Sequence, residues 1–180
     1  FHCVVNLNES MGRHGAKLLL EDCPFDIIHA HDWLVGDAAI ALKHNFKVPL
    51  VATIHATEHG RHNGIHNDIQ QYIDGKEKLL AYNAWRVIVC TDYMRREVEW
   101  ALQTPWNKID VIYNGIRPEK KRRQDFDALN FRRQFAEDGE SIVYYVGRMT
   151  YEKGVSVLLN AAPKVLWEMG GRVKFVMIGG

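Results

Sequence analysis

The sequence has few cysteines, little net charge and no long apolar segment, and each shortage excludes a class of protein. The three cysteines, Cys3, Cys23 and Cys90, are widely separated and form no C-x-x-C pair. This argues against a disulfide framework or a cysteine zinc site and favours a reducing cytoplasm. A net charge of +1 provides no field that would attract nucleic acid or an anionic membrane. No apolar run approaches the roughly 18–20 residues that cross a bilayer, so we expect no transmembrane segment.

Two motifs are also missing. The sequence contains no G-x-G-x-x-G, which a nicotinamide-dependent dehydrogenase of Rossmann type would need, and no H-E-x-x-H zinc motif. His55, His59, His62 and His66 recur at spacings that would share one helical face, which is the pattern of a metal site. Gly60 and Gly64 make a helix there unfavourable, so we expect no metal.

Strand-like and helix-like segments alternate along the chain. Short apolar or β-branched runs predict strands at 26–30, 49–54, 86–91, 109–112, 142–146 and 173–178. Periodic apolar positions predict helices at 36–46, from 67 or 68 onward with a break at Gly75, and at 91–103, 125–136 and 154–168, with a polar loop at 55–66. This alternation predicts an α/β protein built from βαβ units with parallel sheets.

A charged, proline-containing stretch at 116–124 is the predicted domain boundary. Residues 1–115 would form the end of one Rossmann-like domain and residues 125–180 the start of another. The chain begins with Phe1 and ends directly after a predicted strand, so we expect a piece cut at both ends. The basic run Lys120–Arg123 lacks interleaved aromatics and predicts a solvated face, not a nucleic-acid contact.

The turn from Gly147 to Gly154 joins a predicted strand to a predicted helix. Ligands of open α/β sheets bind at the carboxyl ends of the strands. Gly147 permits a sharp turn, the helix N-terminus offers free N–H groups, and Arg148 and Lys153 add positive charge. This set suits a diphosphate. A surface turn with two solvated bases is the alternative.

Two further strand ends carry polar residues. His55 directly follows a predicted buried strand, and Glu58 is close enough in sequence to share a site with it. Such a histidine suits a sugar hydroxyl or a developing charge, and a strand-end histidine bonded to backbone is the equal alternative. His31 projects to the same side as His29, and Asp32 follows at the start of the loop.

The Asp32-Trp33 pair is typical of carbohydrate sites, because an aromatic face packs on sugar C–H groups and a carboxylate accepts hydroxyl protons. The alternative is that Trp33 lies in the core and Asp32 caps the next helix.

Four motifs occur together and in order: His-Ala-His-Asp-Trp at 29–33, Ala-Thr-Ile-His at 52–55, Asn-Gly-Ile at 114–116 and Gly-Arg-x4-Lys-Gly at 147–154. In this combination the chain resembles, from about residue 24 to residue 180, the retaining GT-B glycosyltransferases of the glycogen/starch synthase type. The resemblance implies two Rossmann-like, parallel-sheet domains facing each other across a cleft, both incomplete in this chain.

The resemblance also implies an activity, that of a hexosyltransferase. A glucosyl unit would pass from ADP-glucose or UDP-glucose to an α-glucan with retained anomeric configuration and without a metal or cofactor. Arg148 and Lys153, with Gly147 and Gly154, match the donor-diphosphate residues, and His55 matches a histidine near the transferred sugar. The acceptor side would include His31, Asp32 and Glu58. The family's glycine-rich loop and E-x7-E glutamates fall outside the sequence, so we expect the chain alone to be inactive.

Other activities remain open on the same fold. The acceptor could instead be a lipid, a small sugar or a sugar phosphate, or the chain could be a non-catalytic module that binds a nucleotide sugar or carbohydrate. The sequence carries no signal for the donor nucleotide, the acceptor or the oligomeric state.

Overall fold

The chain folds into two compact units, residues 1–115 and 116–180. The computed structural model describes residues 2–21, 25–117 and 126–180. The helices are α1 (His2–Leu20), α2 (Gly36–Phe46), α3 (Glu58–His62), α4 (Asp68–Asn83), α5 (Asp92–Ala101), α6 (Ala128–Arg132) and α7 (Val155–Glu168). The strands are β1 (Ile28–His31), β2 (Leu50–Ile54), β3 (Arg86–Val89), β4 (Ile109–Val111), β5 (Ser141–Val146) and β6 (Val173–Ile178). This confirms the predicted α/β class with parallel sheets.

The N-terminal unit is built on a four-stranded parallel sheet in the order β1-β2-β3-β4. The register places Ala30 beside Ala52, Ala52 beside Val87, and Val87 beside Ile109, and all four side chains are buried. They form one core with residues of helices α2, α4 and α5: Ala39, Leu80 and Val98. Alternate strand positions point to the other face, where Arg86 forms an ion pair with Asp110. The carboxyl ends of all four strands therefore meet at one edge.

Helix α1 is held by a buried asparagine. Asn8 donates from Nδ2 to the Leu34 carbonyl at 2.8 Å and accepts from the backbone N–H of Ala38 at 2.9 Å. Ala38 lies in the first turn of α2, where helical N–H groups lack intrahelical partners, so Asn8 caps α2 from another helix.

The helix starts follow the predicted caps, but two other local predictions were wrong. Asn67 and Thr91 accept from the backbone N–H three residues onward and begin α4 and α5. Helix α4 runs unbroken through Gly75, because a helical glycine costs only about 1 kcal/mol and packing offsets it. The polar loop at 55–66 contains α3, which Thr57 caps.

In the C-terminal unit, β5 and β6 pair in parallel, with Val146 beside Ile178 at their carboxyl ends, and α7 connects them. The helix predicted at 125–136 is shorter, Ala128–Arg132, with Asp127 as its cap. The basic run Lys120–Arg123, most of the linker predicted at 116–124 and the start of the second domain at 125 lie outside the described residues. The assignment of residues 1–115 to the acceptor and of 125–180 to the nucleotide sugar stays a prediction.

Candidate functional site

Four side chains from the four strand ends are linked in a row along the carboxyl edge of the N-terminal sheet. His31 Nδ1 lies 3.0 Å from His55 Nε2, and His55 Nδ1 lies 3.7 Å from Cys90 Sγ. Cys90 Sγ in turn donates to Asn114 Oδ1 at 3.5 Å. The two imidazole rings are nearly parallel, with centroids 5.3 Å apart. The row joins residues that are up to 83 positions apart, since it runs from 31 to 114.

One arrangement of donors and acceptors satisfies every hydrogen bond of the row. The Asn114 amide oxygen accepts only, so Cys90 donates its S–H there, and His55 donates its Nδ1–H to the sulfur. His55 Nε2 then accepts from the Nδ1–H of His31. This leaves His31 Nε2 as the ring nitrogen at the open end of the row. Both ring nitrogens of His55 are engaged, which the sequence did not indicate.

Asp32 supports this edge at the cost of a strained backbone. Its φ of 58° and ψ of 175° lie in a region that residues other than glycine rarely adopt, and this conformation costs about 1–3 kcal/mol. Its Oδ1 accepts from the backbone N–H of His55 at 2.8 Å, and this bond holds the strand end beside it. Asp32 therefore does not use its side chain as a helix cap, and the neighbouring Trp33 is half-buried and not part of the core.

His29 lies next to this row, two residues before His31 on β1. Its Nε2 is 2.7 Å from Thr53 Oγ1, and its ring centroid is 4.3 Å from that of His31. Burial lowers the pKa of His29, and the neighbouring His31 and His55 lower it further. The lowered pKa disfavours a positive charge on the His29 imidazole.

The carboxylate of Glu58 lies apart from the row, in a buried cluster behind it. Glu58 is only 5% exposed, and its carboxylate contacts His62 at 3.2 Å and Arg61 at 3.7 Å. Its backbone N–H donates to both oxygens of Glu77, at 2.9 and 3.0 Å. Burial raises the pKa of Glu77 to about 7, against the stabilising contacts with the Glu58 N–H and Arg61. Glu77 thus fixes the start of α3, three residues after His55.

A second carboxylate fixes the same loop. Thr57 donates its hydroxyl proton to Glu97 Oε1 at 2.6 Å and accepts from the Gly60 N–H at 2.9 Å. A Cβ on Gly60 would overlap the Glu97 carboxylate, so only glycine allows this close approach without displacing it. Two helices, α4 and α5, therefore each place one glutamate against residues 57–60.

In the C-terminal unit, the predicted diphosphate turn lies between β5 and α7. Gly154 caps α7 with a φ of 69°, in the left-handed region that favours glycine. Lys153 is exposed, and Arg148 pairs with Glu152 at 3.2 Å while its side chain stays 68% exposed. Both cations are therefore accessible, next to the free N–H groups of a helix start.

A second strand end closes against this turn. A Cβ on Gly179, directly after β6, would overlap the carbonyl oxygen of Gly147, directly after β5. The two strand ends thus approach each other through backbone alone, and a side chain at 179 would separate them. The strand-end rule that selected Gly147 also applies to Gly179. It missed Cys90 because the predicted strand at 86–91 extends past Val89, where β3 ends. Glu77 and Glu97 gave no such signal, because they lie within helices.

The histidines that suggested a metal site have separate partners. His55 joins the row, His59 packs edge-on against Trp100, and His62 contacts Glu58. His66 Nε2 lies 3.0 Å from the carbonyl oxygen of His62. Within 2–21, 25–117 and 126–180, no group of three or more histidine, cysteine or acidic side chains is arranged to hold a metal ion. None of the described helices has the length and apolar character needed to cross a membrane.

Comparison with known families assigns this chain to a class of enzymes. Residues 10–120, more than half of the chain, match the family described as Glycosyltransferase Family 4. The chain belongs to glycosyltransferase family 4. This family 4 chain is 38% identical to an uncharacterized glycosyltransferase of Methanocaldococcus jannaschii, over 79% of the chain and 37% of that protein. It is 36% identical to the glycogen synthase of Mycobacterium tuberculosis, over 78% of the chain and 32% of that enzyme.

The fold comparison agrees. The catalytic domain of starch synthase IV from Arabidopsis thaliana, solved with ADP and acarbose, matches with a TM-score of 0.66 at 20% identity. That match covers 93% of this chain and 45% of the other, and it shows the GT-B fold. The resemblance to GT-B glycosyltransferases of the glycogen/starch synthase type is confirmed. The chain spans about a third of the length of the two sequence relatives.

Proposed function

We propose that the protein containing this chain is a retaining glycosyltransferase that moves a glucosyl unit from ADP-glucose or UDP-glucose to an α-glucan. The observation that carries the proposal is the row of His31, His55, Cys90 and Asn114 at the carboxyl edge of the N-terminal sheet. It occurs in a family 4 chain that is 36% identical to a glycogen synthase.

The donor diphosphate is assigned to the turn from Gly147 to Gly154. The exposed Arg148 and Lys153 would offset the two phosphate charges, and the free N–H groups at the start of α7 would donate hydrogen bonds to the phosphate oxygens. Negative charge grows on the diphosphate as the bond to the sugar breaks, so these cations stabilise the transition state more than the bound substrate.

The sugar-side contacts are assigned to the N-terminal edge. His31 presents its open Nε2, which suits a sugar hydroxyl, and His55, whose two ring nitrogens are engaged in the row, orients the His31 ring. Asp32 fixes the backbone of His55 through a hydrogen bond to its N–H. Glu58 contributes indirectly, because its own backbone N–H is bonded at the start of α3. No metal or cofactor takes part in the proposed reaction. A cytoplasmic location is proposed from the three widely separated cysteines, which form no C-x-x-C pair.

Transfer assays on the intact protein test this proposal. ADP-glucose and UDP-glucose are each supplied with glycogen, with maltose, with a lipid acceptor, with a sugar phosphate, or without acceptor. Release of nucleoside diphosphate that depends on glycogen, with new linkages of the α configuration by NMR, supports the proposal. Preference for another acceptor would replace the α-glucan, and donor binding without any release would indicate a binding module.

The donor assignment has its own test. Arg148→Ala and Lys153→Ala are each expected to lower kcat at least about 100-fold, the scale for losing one transition-state donor. Lys164→Ala is the matched control, because Lys164 lies on α7 and pairs with Glu168 at its exposed side. Near-normal turnover in both variants would remove the diphosphate role from this turn.

A further inference from the structure

Helix α5 has two faces, and only one of them packs into the hydrophobic core. Val98 and Ala101 are buried in the N-terminal unit. A second stripe at positions i, i+3, i+4 and i+7 consists of Tyr93, Arg96, Glu97 and Trp100. Tyr93 and Trp100 are each 67% exposed. A single exposed aromatic side chain is common in proteins, but two on one stripe border the same concavity here.

This concavity is a pocket of about 320 Å³ between α3 and α5. Its α3 side is formed by His59, Gly60 and Asn63, and its α5 side by the stripe. Its volume falls at the lower end of the roughly 300–1,000 Å³ typical of ligand pockets. The His59 ring stands edge-on to Trp100, with centroids 4.6 Å apart, so the indole orientation is set before any ligand arrives.

The lining suits a neutral ring that carries many hydroxyl groups. Trp100 and Tyr93 offer apolar faces, Asn63 offers both donors and an acceptor, Arg96 offers donors and Glu97 acceptors. A hydroxyl group needs a donor and an acceptor at once, and this set supplies both. The single cation is balanced by the single carboxylate, so a phosphorylated ligand would gain little from charge.

The pocket is continuous with the loop that follows the strand-end row. Glu97 borders the pocket and also accepts from Thr57, two residues after His55. Gly60 borders it too, and its missing side chain admits the Glu97 carboxylate. A ligand held here lies against the same short segment, residues 57–60, that the two buried glutamates position.

We propose that this pocket is a carbohydrate-binding site that holds a neutral α-glucan chain on the N-terminal unit, outside the His31–His55 edge. Tyr93 and Trp100 are the stacking surfaces, and Asn63, Arg96 and Glu97 bind hydroxyl groups. The choice of an α-glucan as ligand rests on the proposed function. A second contact of this kind retains a long acceptor between successive transfers, and it lowers the KM for glycogen more than it changes kcat.

The test uses the intact protein with two readouts: kinetics of glucosyl transfer to glycogen, and calorimetric binding of maltoheptaose. Trp100→Ala is expected to raise the KM for glycogen and the Kd for maltoheptaose about tenfold, the scale of a lost aromatic anchor, with kcat within about twofold. Trp100→Phe is expected to restore part of the loss. Trp85→Ala is the control, since Trp85 is also 67% exposed, and it is expected to change neither quantity.

The two readouts separate failure of the pocket from failure of the proposed function. Wild-type transfer to glycogen together with unchanged KM and Kd in Trp100→Ala would overturn the pocket while the function stands. Wild-type protein that transfers nothing to glycogen would overturn the function, and maltoheptaose binding would then decide the pocket alone. Absence of wild-type maltoheptaose binding would overturn the pocket. If Trp100→Ala unfolds, Tyr93→Ala replaces it with the same expected result.

Discussion

Glu77 makes the stability of the N-terminal unit depend on pH in an unusual direction. Its side chain is 1% exposed and lies near Glu58, Asp74 and Arg61. Burial raises its pKa from 4.5 to about 7, more than the Glu58 N–H and Arg61 can offset. A carboxyl in a salt bridge ordinarily has a lowered pKa and stabilises the native state as pH rises, so the expected sign here is the reverse.

The sign follows from proton binding. Between about pH 4.5 and about pH 7, the native state holds the Glu77 proton while the unfolded chain has released it. The free energy of unfolding therefore falls as pH rises through this window. The stabilisation is complete below about pH 4.5 and lost above about pH 7. A shift from 4.5 to about 7 corresponds to about 3 kcal/mol, at 1.36 kcal/mol per pKa unit.

Glu77→Gln isolates this effect, because glutamine keeps an oxygen for the Glu58 N–H and has no titrating proton. Urea denaturation from about pH 5 to about pH 8 is expected to show wild type losing about 2–3 kcal/mol relative to Glu77→Gln, because part of the effect is already lost at pH 5. Glu99→Gln, which removes an exposed carboxyl on α5, is the control and should run parallel to wild type. Parallel curves for wild type and Glu77→Gln would refute a raised pKa at this position.

Two further variants test the strand-end row. His55→Ala is expected to lower turnover at least tenfold, because it removes the central member of the row, with little loss of stability since His55 is exposed. A lower thermal midpoint with unchanged turnover per folded molecule would make His55 structural. Asp32→Gly is expected to change the free energy of unfolding by less than about 1 kcal/mol, because relieved strain and a lost hydrogen bond each amount to about 1–3 kcal/mol and oppose each other. Its transfer activity is expected to fall, and unchanged activity would show that the bond to the His55 N–H has no catalytic role.

The sequence predicted the elements that depend on local chemistry. Apolar, β-branched runs such as Leu50–Ile54 have few alternatives to a buried strand, and Asn67 and Thr91 cap helices through contacts three residues away. The strand-end rule then selected His31 and His55, because the carboxyl edge of a parallel sheet follows directly from the alternation of strands and helices.

Elements that depend on distant partners could not be predicted in this way. Helix α1 has little buried surface of its own and is held through Asn8, whose partners lie 26 and 30 positions away. Helix α3 has five residues and two carboxylates from other helices, Glu77 and Glu97, fix its first turn. Helix propensity takes account only of the unfavourable glycine in α3. It takes no account of the distant Glu97, whose close approach needs that glycine.

The segment from His55 to Gly60 is where these contacts converge. Its first residue joins the row at the strand ends, its middle is held by Glu77 and Glu97, and its last residue borders the pocket with Trp100. A displacement at either glutamate would therefore shift both the imidazole row and the pocket. This is why Glu77→Gln, which keeps an oxygen for the Glu58 N–H but has no titrating proton, is the substitution expected to remove this pH dependence of stability while leaving the geometry of both sites in place.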